Sequence, residues 1–191
     1  LEDACGRAGN ARAEIEYALS RRADAPVLLE AWRAGRIPQR VVHNDAKISN
    51  ILFDRDTGEG LCVVDLDTVM PGLALYDFGD MVRTMTSPAA EDEADPAEAG
   101  VSLSLFEALA GGYLAEMGPL LVPEERALLV TSGRLITLEI GVRFLTDHLS
   151  GDTYFRTDRP GQNLARCRAQ FAHHRSLVRS TPELETLVEK A

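Results

Sequence analysis

The chain has 191 residues, of which 45% are hydrophobic, so it can bury a core and is not a wholly disordered protein. Twenty Lys and Arg against thirty Asp and Glu give a net charge of −10, which leaves no basic stripe for a nucleic-acid backbone. No apolar stretch approaches the roughly 18 residues of a membrane-spanning helix, and three scattered cysteines fit a reducing compartment. We therefore expect a cytoplasmic protein that binds neither nucleic acid nor membrane.

The spacing of apolar residues predicts a mainly helical chain with one small sheet. Residues 11–22 and 26–34 are typical of short amphipathic helices, and residues 40–42 of a short strand. Residues 50–53 and 61–65 are rich in branched side chains and flank a turn-rich segment, which predicts a β-hairpin. Further helices are predicted at 77–86, 101–116, 124–149, 161–179 and 182–190. The fold class is therefore α+β and mainly helical, with the chemistry on the small hairpin.

Two connecting segments are predicted to lack regular structure. Residues 66–76 are an apolar loop broken by Pro71 and Gly72. Five acidic residues lie between positions 91 and 98, which favours a solvated linker.

Polar residues stand at both ends of the predicted hairpin. Asn50 opens its first strand and Asp65 closes its second, and the two are symmetric about the step from Thr57 to Gly58. A turn centred on that step would place them opposite each other, with Cβ atoms about 4.5–5.5 Å apart. This separation suits two oxygen ligands of one divalent cation. A shift of one residue in the register would turn one of these side chains to the other face.

Further polar residues accompany this pair. Asp45 lies five residues before Asn50, in a polar loop that also contains His43 and Lys47, and Asp67 follows Asp65 closely. The set has hard oxygen ligands and no thiol, so it favours Mg²⁺ or Mn²⁺ over zinc or copper. It suits phosphoryl transfer, in which one carboxylate orients a hydroxyl while other groups hold the metal on the phosphates.

Three motifs in order carry a family resemblance. Residues 43–50 (HNDAKISN) match H-x-D-x-x-x-x-N and resemble the catalytic loop of protein kinases and of the aminoglycoside phosphotransferase/choline kinase superfamily. Residues 63–67 (VVDLD) resemble the metal-binding strand end of that superfamily, and residues 76–80 (YDFGD) the start of its next helix. The resemblance implies a protein-kinase-like C-terminal lobe with Asp45 as catalytic base, Asn50 and Asp65 as metal ligands, and Asp77 bracing the catalytic loop.

The remaining polar residues have supporting roles in that scheme. His43 is expected to pack and to hydrogen-bond the loop. Lys47 either reaches a phosphate or is a solvated lysine. Asp67 is expected to be a carboxylate next to the metal ligands or a substrate contact.

Longer stretches are similar to the N-acetylhexosamine 1-kinase branch, which phosphorylates the anomeric hydroxyl of N-acetylglucosamine or N-acetylgalactosamine with ATP. These stretches are VVDLDTVMPGLALYDFGDMVRT, AAEDE and GVRFLTDHLSGDTYF. The similarity covers roughly residues 41–171 and is weaker before them. It implies that Arg143 and Tyr154 contact the sugar, that Mg²⁺ is the cofactor and that ATP is the co-substrate.

The resemblance also implies a second lobe. The 42 residues before His43 are predicted to be helical and contain neither a Gly-rich phosphate loop nor a strand lysine. We expect residues 1–191 to form the C-terminal catalytic and substrate lobe, and the N-terminal ATP lobe to be a partner missing from this chain. The chain alone is expected to bind ATP weakly and to show little turnover.

Two other functions fit parts of the sequence. Residues 63–69 (VVDLDTV) match the D-x-D-x-T-V nucleophile motif of haloacid-dehalogenase-like phosphatases, with Asp65 as nucleophile and Asp67 as acid/base. That family needs a Rossmann-like series of strand–helix units downstream, whereas this sequence is helical there. The other alternative is a non-catalytic sugar-binding lobe.

Several site residues also have purely structural interpretations. Asp45 could be a turn residue, and Asp77 stands where a helix N-cap would stand. Arg143 lies four residues from Glu139 and from Asp147, as in an ordinary set of helix ion pairs.

Overall fold

The computed structural model of the chain describes residues 3–93, 95 and 98–191. The α-helices in these residues are α1 Arg12–Ser20, α2 Val27–Arg33, α3 Ala74–Met85, α4 Leu103–Met117, α5 Pro123–Ala127, α6 Leu129–Ser150, α7 Gln162–Arg179 and α8 Thr181–Lys190. The strands are β1 Arg40–Val42, β2 Ile51–Phe53, β3 Gly60–Val63 and β4 Met70–Gly72. The predicted mainly helical α+β fold with a small hairpin is confirmed. None of the described helices is long and apolar enough to cross a bilayer.

Two helix boundaries differ from the prediction. The helix predicted over 124–149 is interrupted at Leu128, which has a ψ of 2° between α5 and α6. The apolar spacing continues through that residue, so periodicity does not reveal the break. Helix α3 begins at Ala74 rather than at residue 77, because the chain leaves its extended conformation at Leu73. Asp77 is therefore in the first turn of α3 and is not its N-cap, which corrects the capping interpretation.

A second small sheet was not predicted. Strand β4 pairs antiparallel with β1, with Arg40 opposite Gly72 and Val42 opposite Met70, where the sequence predicted only an apolar loop. Proline and glycine are poor strand residues, and they are tolerated here because the sheet has only two strands and Pro71 lies on an edge. The pairing brings the segment after β3 alongside the loop after β1.

The hairpin of β2 and β3 has a different register from the predicted one. Ile51 pairs with Val63, and the backbone N–H of Val64 donates to the carbonyl of Asn50 at 2.9 Å. Asn50 is therefore opposite Val64, and its predicted direct pairing with Asp65 is wrong by one residue. The reason is the position of the turn: Phe53 pairs with Gly60, which centres the turn on the step from Asp56 to Thr57 rather than from Thr57 to Gly58. An irregularity next to Phe53 adds one residue on the β3 side and makes up only half of this difference.

Close packing of α3 against α6 determines the position of the site. An added Cβ at Gly79 of α3 would lie 2.6 Å from the carbonyl oxygen of Ser132 in α6. An added Cβ at Gly133 of α6 would lie 2.7 Å from Val82 of α3. Each helix thus presents a glycine to the other at their closest approach. Gly141 of α6 meets Phe171 of α7 in the same way, with an added Cβ 2.6 Å from the ring.

The acidic segment is bound to the helices at its first residues. Glu91 lies 3.4 Å from the guanidinium of Arg83 and 3.5 Å from that of Arg166, and Asp92 lies 2.9 Å from that of Arg159. The predicted solvated linker is therefore wrong for these two residues, while residues 94, 96 and 97 of the segment lie outside the described part. The arginine partners are mostly distant in sequence, so local charge patterning could not reveal the pairing.

The sheet topology disagrees with one alternative function. Both sheets are two-stranded and antiparallel, and within residues 73–93, 95 and 98–191 the regular elements are all helices. A haloacid-dehalogenase-like phosphatase needs a parallel sheet built from strand–helix units. Its motif at Asp65 is therefore not in the fold that would make that residue a nucleophile.

Gly79→Ala is expected to lower the free energy of unfolding by about 1–3 kcal/mol, because the added methyl group meets the Ser132 backbone as well as the Ile136 side chain, and the backbone cannot move aside. Gly112→Ala in α4 is the matched control, since an added Cβ there has no heavy atom within 4 Å. It should leave stability unchanged or raise it by up to about 1 kcal/mol through helix propensity. Urea unfolding of both variants measures the difference, and equal midpoints would contradict the packing argument.

Candidate active site

The loop that follows β1 is held by a carboxylate from α3. Asp77 accepts a hydrogen bond from the backbone N–H of His43 at 2.7 Å and another from that of Asn44 at 2.8 Å. Asn44 has a φ of +63°, a left-handed conformation that Asn tolerates better than most residues. Burial raises the pKa of Asp77, and the two backbone hydrogen bonds act against that rise. Asp77 therefore links helix α3 to the loop after β1 through two backbone hydrogen bonds.

Three further contacts fix the same loop against the segment after β3. The hydroxyl of Thr68 donates to the carbonyl of His43 at 2.6 Å, and the side-chain amide of Asn44 donates to the carbonyl of Thr68 at 3.3 Å. The His43 ring lies with Nε2 3.1 Å from the carbonyl of Val64, which can only accept. Its Nδ1 is buried without a partner among the described residues. Nε2 therefore donates to this carbonyl and ties the loop to the residue after β3.

Asp45 lies at the centre of a hydrogen-bonded group. Its Oδ2 is 2.7 Å from the ammonium of Lys47 and 3.0 Å from the side-chain nitrogen of Asn50. Burial raises the pKa of Asp45, but the Lys47 ammonium and the Asn50 amide outweigh it, so the pKa lies below its usual value. Asp45 is thus ionised at neutral pH. Both contacts use Oδ2. The other carboxylate oxygen, Oδ1, is therefore able to accept a hydrogen bond from the hydroxyl of a substrate.

Asn50 is almost completely buried, with 6% of its surface exposed, at the end of the short turn Ile48–Asn50. Its amide nitrogen donates to the backbone carbonyl of Asp45 at 2.9 Å as well as to the carboxylate. Both amide hydrogens are therefore used within the loop. The carbonyl oxygen Oδ1 remains as the atom that could bind a cation.

Asp65 and Asp67 lie at the end of the hairpin and are both exposed. Asp65 has a φ of +64° and directly follows Val64, whose backbone contacts Asn50 on one side and His43 on the other. The chain therefore changes direction at Asp65, next to the loop that carries Asp45. Asp67 lies in the next turn, Leu66–Thr68.

Asn50 and Asp65 carry the oxygens that were predicted to bind a cation. Among the described residues there is no group of three or more His, Cys, Asp or Glu side chains that could hold a metal ion. An amide oxygen at Asn50 and an exposed carboxylate at Asp65 are the hard ligands that Mg²⁺ prefers, and Mg²⁺ is normally bound by one or two such groups together with substrate phosphates. The donor set thus fits a Mg²⁺ whose remaining ligands come from a nucleotide and water.

A polar cavity of about 370 Å³ adjoins Asp45 between α3 and α6. Helix α3 contributes Tyr76, Asp80 and Arg83, which share one face because they are spaced by four and three residues. Arg83 donates to the carboxylate of Asp80 at 2.8 Å. Helix α6 contributes a face of the same spacing, made of Ile136, Glu139, Ile140 and Arg143.

Sequence reasoning identified only Asp45 and Arg143 of this lining. Tyr76, Asp80, Arg83 and Glu139 were missed as cavity residues. The signal that could have indicated them is the recurrence of polar side chains at helical spacing on otherwise apolar faces.

Arg143 lies against two aromatic rings at one end of the cavity. Its guanidinium is 5.7 Å from the ring centre of Tyr154 and 5.6 Å from that of Phe155, and it donates to the Tyr154 hydroxyl at 3.4 Å. Tyr154 is 73% exposed and lines a neighbouring cavity of about 360 Å³ that Arg143 also lines. The structure therefore brings Arg143, but not Tyr154, to the cavity of Asp45.

The loop that carries Tyr154 is organised by Asp147, a residue that sequence reasoning assigned to a helix ion pair. The buried Asp147 carboxylate accepts backbone N–H groups of Thr153, Tyr154 and Phe155 at 2.8–2.9 Å. Asp147 therefore caps a loop and does not neutralise Arg143, so the ion-pair interpretation of Arg143 with Asp147 is wrong.

Comparison with known families adds one finding. The family model APH, described as the phosphotransferase enzyme family, matches residues 2–111, which is more than half of the chain. The matched span contains the loop of Asp45, the β2–β3 hairpin and helix α3. Helix α6 and Tyr154 lie beyond it, so the match concerns the Asp45 side of the cavity.

Asp77→Asn is expected to lower the free energy of unfolding by about 1–3 kcal/mol, because one amide oxygen cannot replace a carboxylate that accepts two backbone N–H groups. The amide exchange of His43 and Asn44 with solvent should accelerate at the same time. Asp56→Asn in the exposed hairpin turn removes the same charge and should change neither measurement. Unchanged exchange at both amides in Asp77→Asn would contradict the bracing role.

Lys47→Met is expected to raise the pKa of Asp45, since it removes a hydrogen bond and a positive charge that favour the carboxylate. The stability that this carboxylate provides is present at neutral pH and is lost as the pH falls through the folded-state pKa, so the loss should begin at a higher pH in the variant. Titration of the side-chain carboxyl by carbon NMR measures the shift. Lys190→Met, at the end of α8, is the control, and an equal Asp45 titration in both variants would contradict the pairing.

Proposed function

Since the chain belongs to the phosphotransferase enzyme family, we propose that it transfers the γ-phosphate of ATP to a sugar hydroxyl, and specifically to the anomeric hydroxyl of an N-acetylhexosamine. The observation that carries the proposal is the ionised Asp45, bound by Lys47 and Asn50, beside a polar cavity of about 370 Å³. The choice of sugar rests on the resemblance of residues 41–171 to N-acetylhexosamine 1-kinases.

Asp45 is suited to orient the acceptor rather than to remove its proton early. A carboxylate with a lowered pKa is a weak base, and it cannot deprotonate a free alcohol to a useful extent. It can accept a hydrogen bond from the hydroxyl and take the proton late, when the oxygen has begun to bond to phosphorus. That order fits a loose, in-line phosphoryl transfer in which little nucleophile activation is required.

Members of this family generally use ATP and Mg²⁺. Asn50 and Asp65 would hold the cation in this chain, because their oxygens are hard ligands and Asn50 contacts Asp45. When bound, Mg²⁺ neutralises charge on the β- and γ-phosphates. Asn50 also donates to Asp45, so it fixes the orientation of the carboxylate relative to this site.

Lys47 supplies a positive charge beside Asp45 that can interact with the negative charge of the transferred phosphate. Its ammonium is 2.7 Å from Asp45 and 35% exposed, so it can also approach a phosphoryl oxygen beside Asp45. A positive charge at this point matters because the chain as a whole carries a net charge of −10 and would otherwise repel a nucleotide.

The far side of the cavity supplies groups that recognise hydroxyls. Asp80 with Arg83, and Glu139 with Arg143, place two carboxylates and two guanidiniums around the cavity, and both kinds of group hydrogen-bond sugar hydroxyls. We propose that Arg143 contacts the sugar directly. Tyr154 would reach the sugar only from the neighbouring cavity, through the face that it shares with Arg143.

We infer further that the chain acts as the C-terminal lobe of a two-lobe kinase and that a separate ATP lobe covers the nucleotide. In that arrangement the chain alone binds the sugar, binds ATP weakly and has little turnover. A non-catalytic sugar-binding lobe would behave identically alone, and the two are separated by turnover in a protein that carries both lobes.

Asp45→Asn in a two-lobe protein is expected to lower kcat by at least about 10³-fold, because the hydroxyl loses its orienting carboxylate. The dissociation constant for N-acetylglucosamine, measured by calorimetry on the chain itself, should change by less than about threefold. Asp56→Asn is the control and should retain full turnover. Formation of the sugar 1-phosphate is followed by phosphorus NMR, and an Asp45→Asn rate close to that of the unaltered protein would refute the assignment.

A further inference from the structure

A second cavity adjoins the one that contains Asp45. It has a volume of about 390 Å³ and lies between helices α1, α2 and α6. Tyr76, Glu139 and Arg143 line both cavities. The two cavities are therefore neighbours along α6, separated by no more than these shared side chains.

The second cavity differs from the first in chemistry. Its lining is mostly apolar, with Leu135, Leu138 and Val142 supplied by α6. Leu19 of α1 and Leu29 of α2 line the opposite side and are 58% and 37% exposed. Large apolar side chains exposed together in a concave surface are typical of a site for an apolar group.

The charged side chains of this cavity restrict the occupant further. Three positively charged side chains line the cavity, those of Arg21, Arg22 and Arg143. Among the residues that the structure describes, Glu139 is its single acidic lining residue. A cationic group would therefore be repelled here, while an uncharged apolar group would contact the leucines and the aliphatic part of the arginines. Arg143, at the junction with the first cavity, can donate to a carbonyl oxygen.

From this geometry we propose that the acceptor is amphipathic, with its hydroxylated ring in the Asp45 cavity and an uncharged acyl substituent longer than acetyl in the adjoining apolar cavity. The proposal rests on the proposed sugar kinase function and names the substituent that the sugar carries. The amide carbonyl of the substituent lies at Arg143, and its hydrocarbon chain lies between α1 and α6. A free amino sugar is a poor ligand for the same site.

Calorimetry on the unaltered chain with N-acetyl-, N-butanoyl- and N-hexanoylglucosamine tests this proposal. Each added methylene is expected to raise the affinity about two- to fourfold until the cavity is filled. Glucosamine itself should bind more weakly than N-acetylglucosamine. Equal affinity across the acyl series overturns the proposal and leaves the sugar kinase assignment intact, whereas no binding by any of the four sugars overturns both.

Two substitutions locate the acyl chain. Leu19→Gln places a polar group at the mouth of the apolar cavity, and its exposed position makes it compatible with folding. It should reduce the affinity for N-hexanoylglucosamine about five- to tenfold and that for N-acetylglucosamine less than twofold. Leu105→Gln, at a 43% exposed position of α4 outside this cavity, is the matched control and should change neither. The placement is overturned if Leu19→Gln weakens the binding of both sugars equally. It is also overturned if Leu105→Gln weakens the binding of N-hexanoylglucosamine as much as Leu19→Gln does.

Val142→Phe fills the cavity from α6 and gives an independent readout. It should abolish the gain from acyl chain length, because the added ring occupies the same volume, while binding of N-acetylglucosamine persists. Persistent N-acetylglucosamine binding also shows that the variant is folded. A chain-length gain that survives in Val142→Phe places the acyl group elsewhere and overturns the proposal.

Discussion

The arrangement of the candidate site depends on one carboxylate that accepts two backbone hydrogen bonds. Asp77 joins helix α3 to the loop after β1 through the N–H groups of His43 and Asn44. These donors point inward only because Asn44 adopts a left-handed conformation. Asp45, the residue after Asn44, consequently lies beside α3. The position of Asp45, the proposed catalytic base, therefore follows from a contact with the first turn of a helix as well as from the strand that precedes it.

Helix packing extends this constraint to the other side of the cavity. Gly79 and Gly133 let α3 and α6 approach so closely that an added methyl group on either would overlap its neighbour. Asp80 and Arg83 on one helix consequently face Glu139 and Arg143 on the other. The cavity owes its size to these glycines and its polarity to side chains at helical spacing on the two facing surfaces.

The electrostatics of the site explain how an acidic protein can bring carboxylates and phosphates together. Asp45 keeps its negative charge because Lys47 and Asn50 stabilise it against the cost of burial. Lys47 also places a positive charge where an anionic phosphoryl group would arrive. Farther out, Arg83 lies between the cavity and the acidic segment, where it contacts Asp80 and Glu91. Charges of both signs are therefore interleaved from the reacting atoms to the surface.

The sequence by itself determined the mainly helical fold, the strand Arg40–Val42, the hairpin and the order of the three motifs, because apolar spacing and turn residues are local signals. Only the tertiary structure decided that Asn50 lies opposite Val64, that β4 pairs with β1 and that Glu91 contacts Arg83 and Arg166. Those features depend on where the hairpin turn is centred, on an edge that tolerates proline, and on a partner, Arg166, that is distant in the chain. Hydrophobic periodicity contains no information about strand register or about which distant charged residues form ion pairs. Both are decided by how the elements pack in three dimensions.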